Sequence, residues 1–159
     1  MAIASAAVAL ESSALGDWMR GGGLSYALVN VLHLLGLALL VGPTLLLDLR
    51  LLGAGRAFPL VETVRTLSRI AAAGVAIAVC SGVALFAADA VALWSHPVMR
   101  TKLALVLVAL TNVALFYAWA GRGRSAWTAE VPMAARVSAA VSLLAWPAIV
   151  VAGRMIAYV

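Results

Sequence analysis

Four apolar runs, residues 24–47, 70–88, 103–120 and 137–153, occupy most of the chain, and the last continues past Arg154 to Val159. Each is at or near the roughly 20 residues a helix needs to cross a hydrocarbon core about 30 Å thick. Inside a bilayer the backbone polar groups must find partners within the segment, which makes such runs helices. A soluble bundle would alternate its apolar stripe with a charged face, and none of the four runs carries one. The 159 residues are 65% hydrophobic and 11% charged, with a mean hydropathy of +1.10. These values predict an all-α integral membrane protein: a four-transmembrane-helix bundle (24–159) preceded by an N-terminal interfacial segment (1–23).

The formal charge of +5 is scattered over helix ends, which argues for membrane topology and against nucleic acid. The first connection holds Arg50, Arg56, Arg65 and Arg69, and the third holds Arg122, Arg124 and Arg136; Arg20, Arg100, Lys102 and Arg154 lie on the other side. Seven basic residues against four place connections one and three in the cytoplasm and both termini outside. The N-terminus lacks the basic n-region of a secretory signal and contains Glu11 and Asp17, so it is expected to be retained. Ser12 or Ser13 caps a short helix ending at Gly21-Gly22-Gly23, with Leu15, Trp18 and Met19 turned to lipid. The single cysteine, Cys80, excludes an internal disulfide and reads as a packing residue. Gly74, Ala78 and Gly82 form a small-residue stripe in the second run, suited to close helix approach. Pro43 and Pro147 should kink the first and fourth helices.

His33 is the ionisable group that stands out in the first run. Tyr26, Asn30, His33, Leu37, Val41, Thr44 and Asp48 step by three or four residues and share one helix face. Lipid offers polar groups no partners, so this face should turn inward, with His33 on the order of 4–5 Å to the outer side of the midplane. Asn112 is expected near the same level. Plain packing would have Tyr26, His33 and Asn112 hydrogen-bonding across helices; a functional reading gives His33 a metal, a cofactor or a proton.

A second set gathers on the outer side: His96, Met99, Arg100, Lys102, Arg154 and Met155. Ion pairing of Asp89 with Lys102 or Arg154 would account for part of it. Soft thioether and imidazole ligands, Met99, Met155, His96 and His33, suit Cu(I). Alternatively, His33 is a haem axial ligand with Arg100, Lys102 and Arg154 on the propionates. No HExxH, paired carboxylate or phosphate loop is present, so an independent enzyme is not expected.

Several short pieces carry a family resemblance. They are His33-Leu34-Leu35 with Val41-Gly42, then Arg65-x-x-Ser68-Arg69-Ile70-Ala71, then Ser81-Gly82, and last Arg100-x-Lys102-Leu103-Ala104-Leu105-Val106 followed by Asn112. Over the first three runs the chain resembles the membrane domain of bacterial copper-resistance D proteins. It also resembles a four-span bacterial family of unknown function, through Leu47-Asp48-Leu49-Arg50-Leu51-Leu52-Gly53 and the Gly153-Arg154 ending with Ile156-Ala157-Tyr158. The His-to-Gly and Lys-Leu pieces are similar to the membrane haem-binding protoporphyrinogen oxidase group as well. The resemblance implies a bacterial inner-membrane bundle with an inward histidine and periplasmic termini, associated with periplasmic copper handling.

The leading expectation is therefore copper handling or transport through a pocket around His33. Metal ligands would come from His33, His96, Met99 and Met155, and pocket residues from Tyr26, Asn30, Asn112, Lys102 and Arg154. The alternatives are a b-type haem or quinone-linked redox subunit and a structural subunit of a membrane complex. Expected partners are the lipid bilayer, a periplasmic metal-binding protein or another membrane subunit, and a second copy of the chain. A reporter fused after Gly123 is expected to behave as cytoplasmic in a topology assay; a periplasmic signal inverts the assignment of sides.

Overall fold

The computed structural model describes residues 2–55, 57, 59–120 and 131–158, apart from the side chains of residues 2, 3 and 120. Arg56, Arg122, Arg124 and the Gly123 fusion point lie outside the described residues. Seven helices occur among the described residues: α1 (Ala2–Glu11), α2 (Ala14–Arg20), α3 (Ser25–Leu52), α4 (Leu60–Ala87), α5 (Ala90–Ser95), α6 (Pro97–Ala120) and α7 (Met133–Met155). Four of them, α3, α4, α6 and α7, are long and apolar enough to cross a membrane. The chain is a multi-pass membrane protein built on a four-helix bundle.

The spanning helices outrun the apolar runs that announce them. Helix α3 continues five residues beyond Leu47, and α4 begins ten residues before Ile70. The extra turns are amphipathic: Leu51 and Val64 are buried against Leu47, Phe116, Ala135 and Ala139, while Glu62, Arg65 and Arg69 are exposed. Helix α3 stops at Gly53, whose φ of 111° is open to glycine at little cost. Gly53 N–H donates to Arg50 O and Ala54 N–H to Leu49 O, satisfying the last carbonyls in a Schellman pattern. Both prolines sit inside continuous helices. Beside Pro43, the Thr44 hydroxyl donates to the Leu40 carbonyl at 2.6 Å.

Helix α3 packs against α4 and α7, and α6 packs against α7; α4 and α6 flank the interior without close packing between them. The α3–α4 contact is set by glycines. A Cβ on Gly74 would fall 2.4 Å from Leu40 N, and one on Gly36 2.7 Å from Ala78 N, so the two backbones touch. The small-residue stripe thus serves packing, with Gly74, Ala78 and Ser81 buried against α3.

Helices α1, α2 and α5 cap the end of the bundle where α4 stops and α6 starts. The expected short helix is α2, capped by Ser13, whose hydroxyl accepts from Gly16 N–H. Two features correct the reading of segment 1–23. An additional helix, α1, precedes α2, and Met19 is buried at 3% exposure where it was expected to face lipid. Trp18 does stay exposed. Helix α5 was also unanticipated; the Glu11 carboxylate accepts from Val91 N–H at 2.7 Å and so satisfies a free donor at its start. Arg20 ties the cap together, donating to Glu11 O at 2.6 Å and Ala88 O at 3.2 Å and pairing with Asp17 at 2.7 Å.

Gly74→Ala is expected to destabilise the protein by about 1–3 kcal/mol, the usual cost of overpacking. Gly42→Ala should be neutral or slightly stabilising, because a Cβ there meets nothing within 4 Å. Thermal unfolding of both variants in detergent checks the contrast.

Candidate functional site

Polar groups in the bundle interior form two layers. Nearer the cap, His33 Nδ1 lies 3.0 Å from Ser81 Oγ across the α3–α4 contact. Ser81 also donates to Ile77 O at 2.5 Å, so in that arrangement the hydroxyl oxygen accepts from an Nδ1–H tautomer. Gly82 makes room for the ring, since a Cβ there would come 3.1 Å from His33 Cε1. Lys102, from α6, lies along α7 with its Nζ 3.3 Å from where a Gly153 Cβ would sit. Its ammonium is within electrostatic reach of His33.

An apolar layer follows, made by Leu40, Ala109, Ala145, Trp146 and Ile149. Beyond it lies the second polar layer, a cavity of about 90 Å³. All four spanning helices contribute: Thr44 and Asp48 from α3, Ser68 from α4, Asn112 and Tyr117 from α6, Ser138 and Ser142 from α7. The cluster of Leu47, Leu51, Val64, Phe116 and Ala135 closes its far side. Asp48 stands 15 residues after His33 in the same helix, roughly 22 Å along the axis.

Most of the chamber's polar groups satisfy one another. Asn112 Nδ2 donates to Ser138 O and Ser138 Oγ donates back to Asn112 Oδ1, each at 3.0 Å. Tyr117 donates to Ser68 across the gap between α6 and α4. Two oxygens stay unmatched: Asp48 Oδ2 and Ser142 Oγ, both on residues only 4% exposed. Ser142 faces the carboxyl from α7 without closing a hydrogen bond.

The expected site residues are thus divided. His33 and Lys102 are brought to one level, while Asn112 lies in the other layer, bonded to Ser138 and not to His33 or Tyr26. Tyr26 is 48% exposed and Met155 41% exposed, so neither is an interior group. Asn30 is half-buried. His96 and Met99 sit at the α5–α6 corner, Met99 buried. Arg154 turns to Tyr158, donating to its hydroxyl and stacking over its ring at 4.7 Å. Asp89 is exposed and pairs with neither Lys102 nor Arg154 among the described residues.

The residue missed as a site is Asp48. The sequence puts it on the face expected to turn inward, one residue past the first apolar run, and assigns it no site role. The available signal was Leu49, Leu51 and Leu52, which extend the helix beyond it. Among the described residues no three or more His, Cys, Asp and Glu side chains gather as a metal would require.

No protein-family model, curated protein or solved structure matches the chain. Asn112→Ala breaks the reciprocal pair with Ser138 and is expected to cost about 1 kcal/mol, in the range of interhelical hydrogen bonds in membranes. Asn112→Asp, which keeps an acceptor for Ser138 but adds charge, should cost more. Unfolding midpoints of the two variants in detergent check the order.

Proposed function

We propose that this membrane protein binds and passes a small charged or polar species within the bilayer, with the Asp48 chamber as its working centre. One observation carries the reading: a carboxyl side chain with an oxygen lacking any partner among the described residues, on the wall of a largely apolar cavity shared by four spanning helices. A carboxyl buried among apolar side chains, as Asp48 is at 4% exposure, is costly to keep ionised without a partner. A purely structural polar group would be expected to have its partners built in, as Asn112 and Ser138 do.

The copper and haem readings of His33 are less well supported by its surroundings. The α4 backbone at Gly82 lies against the Cε1 edge of the ring, while Ser81 engages Nδ1. The nearby Lys102 charge opposes a bound metal cation. Of the soft ligands proposed with it, Met155 points outward.

Asp48→Asn keeps the shape of the side chain and removes the titratable carboxyl. The variant is expected to unfold at the wild-type temperature or above it by about 2–4 °C, the shift that 1 kcal/mol brings at this chain length. That pattern belongs to a residue retained for activity at a cost in stability. A midpoint lowered by the same amount would identify the carboxyl as a structural element and remove the reading.

A further inference from the structure

We infer that the species taken up at Asp48 is a proton, exchanged between the carboxyl and water inside the chamber. This inference rests on the reading of the chamber as the working centre and names what it binds.

An ionised carboxylate shut inside an apolar bundle needs a compensating charge. The surrounding helices do not build one in. Among the described residues lining the chamber, Tyr117 is the only other titratable group. From α4, Arg65 and Arg69 are exposed, and from α7, Arg136 is exposed. Lys102 of α6 and His33 of α3 lie across the apolar layer. Arg50, the nearest basic residue along α3, is not part of the lining. Among the described residues none supplies the compensating charge in the chamber, and a single carboxylate calls for a single positive charge.

The charge inventory favours a proton over a divalent metal cation. Hard divalent cations gather six or more oxygen ligands, carboxylates prominent among them. Among the described lining residues Asp48 is the single carboxyl group, which leaves a divalent ion with excess charge. Asp48 Oδ2 and Ser142 Oγ remain unmatched in the chamber and lie beside each other from α3 and α7; Trp146 Nε1, one turn along α7, is a third buried group with no partner among the described residues. A proton on Oδ2 removes the charge and supplies an O–H that Ser142 Oγ can accept, so one proton meets both needs. The 90 Å³ of the cavity exceeds what a single water requires, and its hydroxyls offer partners. Loading moves a proton from a hydronium in the chamber to Oδ2, forming the O–H bond and leaving water. Unloading reverses both changes, and no other group changes its charge.

The full-length protein, purified in detergent and reconstituted in phosphatidylcholine vesicles, tests this with two readouts. Infrared spectra at neutral pH should show a protonated-carboxyl C=O band that is lost in Asp48→Asn and shifted in Ser142→Ala. Dicyclohexylcarbodiimide, a lipid-soluble reagent for protonated carboxyls, should modify Asp48 as read by peptide mass spectrometry. Sodium, potassium and lithium chloride should leave that modification unchanged. Concentration-dependent protection by any of the three salts would overturn the proton in favour of an alkali ion. Absence of both band and adduct at every pH tested would show a permanently ionised carboxylate and sink the inference. The two readings fail separately: a destabilised Asp48→Asn removes the chamber as working centre, whereas a stable Asp48→Asn together with wild-type protein that shows neither band nor adduct removes the proton alone.

Discussion

Backbone-to-backbone contact between α3 and α4 fixes the register on which the interior depends. Gly36 and Gly74 let the helices meet where any side chain would collide with main-chain atoms of the partner. With lipid on the outside as apolar as leucine, such close packing is a principal source of helix association in a bilayer. Once Leu40 is set against Gly74, the antiparallel run brings His33 to Ser81 at one end and Asp48 to the level of Ser68 at the other. A slip of one turn would separate His33 from Ser81 by about 5.4 Å and leave both groups seeking partners in hydrocarbon.

That register yields an interior with opposite charges kept apart. The cap-side layer carries an ammonium and an imidazole, and the chamber carries a carboxyl. Leu40, Ala109, Trp146 and Ile149 stand between them. Direct pairing of Lys102 with Asp48 would be the simplest way to quiet both, and the fold does not use it. Chamber polarity is otherwise self-contained, in the Asn112–Ser138 exchange and the Tyr117–Ser68 link. The carboxyl is therefore conspicuous for what its neighbours leave undone.

The same logic explains which inferences from sequence survived contact with the fold. Length and hydropathy predicted four spanning helices, and the inward turn of the Thr44–Asp48 face followed from the helical repeat. The cap was less legible. Helix α5 is stabilised by Glu11, 80 residues away, and no local pattern in residues 90–95 announces that. Met19 was misread because an amphipathic segment beside a membrane offers two apolar destinations, lipid and protein, and sequence does not distinguish them. Asn112 was assigned to the His33 level by counting residues from the edge of an apolar run. Helix α6 starts at Pro97, six residues before that run, so the depth estimate shifted.

By itself the sequence determined that the chain crosses a membrane as helices and that one face of the first helix is polar, because water is absent from hydrocarbon and the helical repeat is fixed. Which polar groups meet was decided by tertiary structure. Contacts across helices depend on axial register, and that register is set by where glycines allow backbones to touch. His33 was thereby given a serine, Asn112 a serine on a different helix, and Asp48 a carboxyl oxygen with no built-in partner.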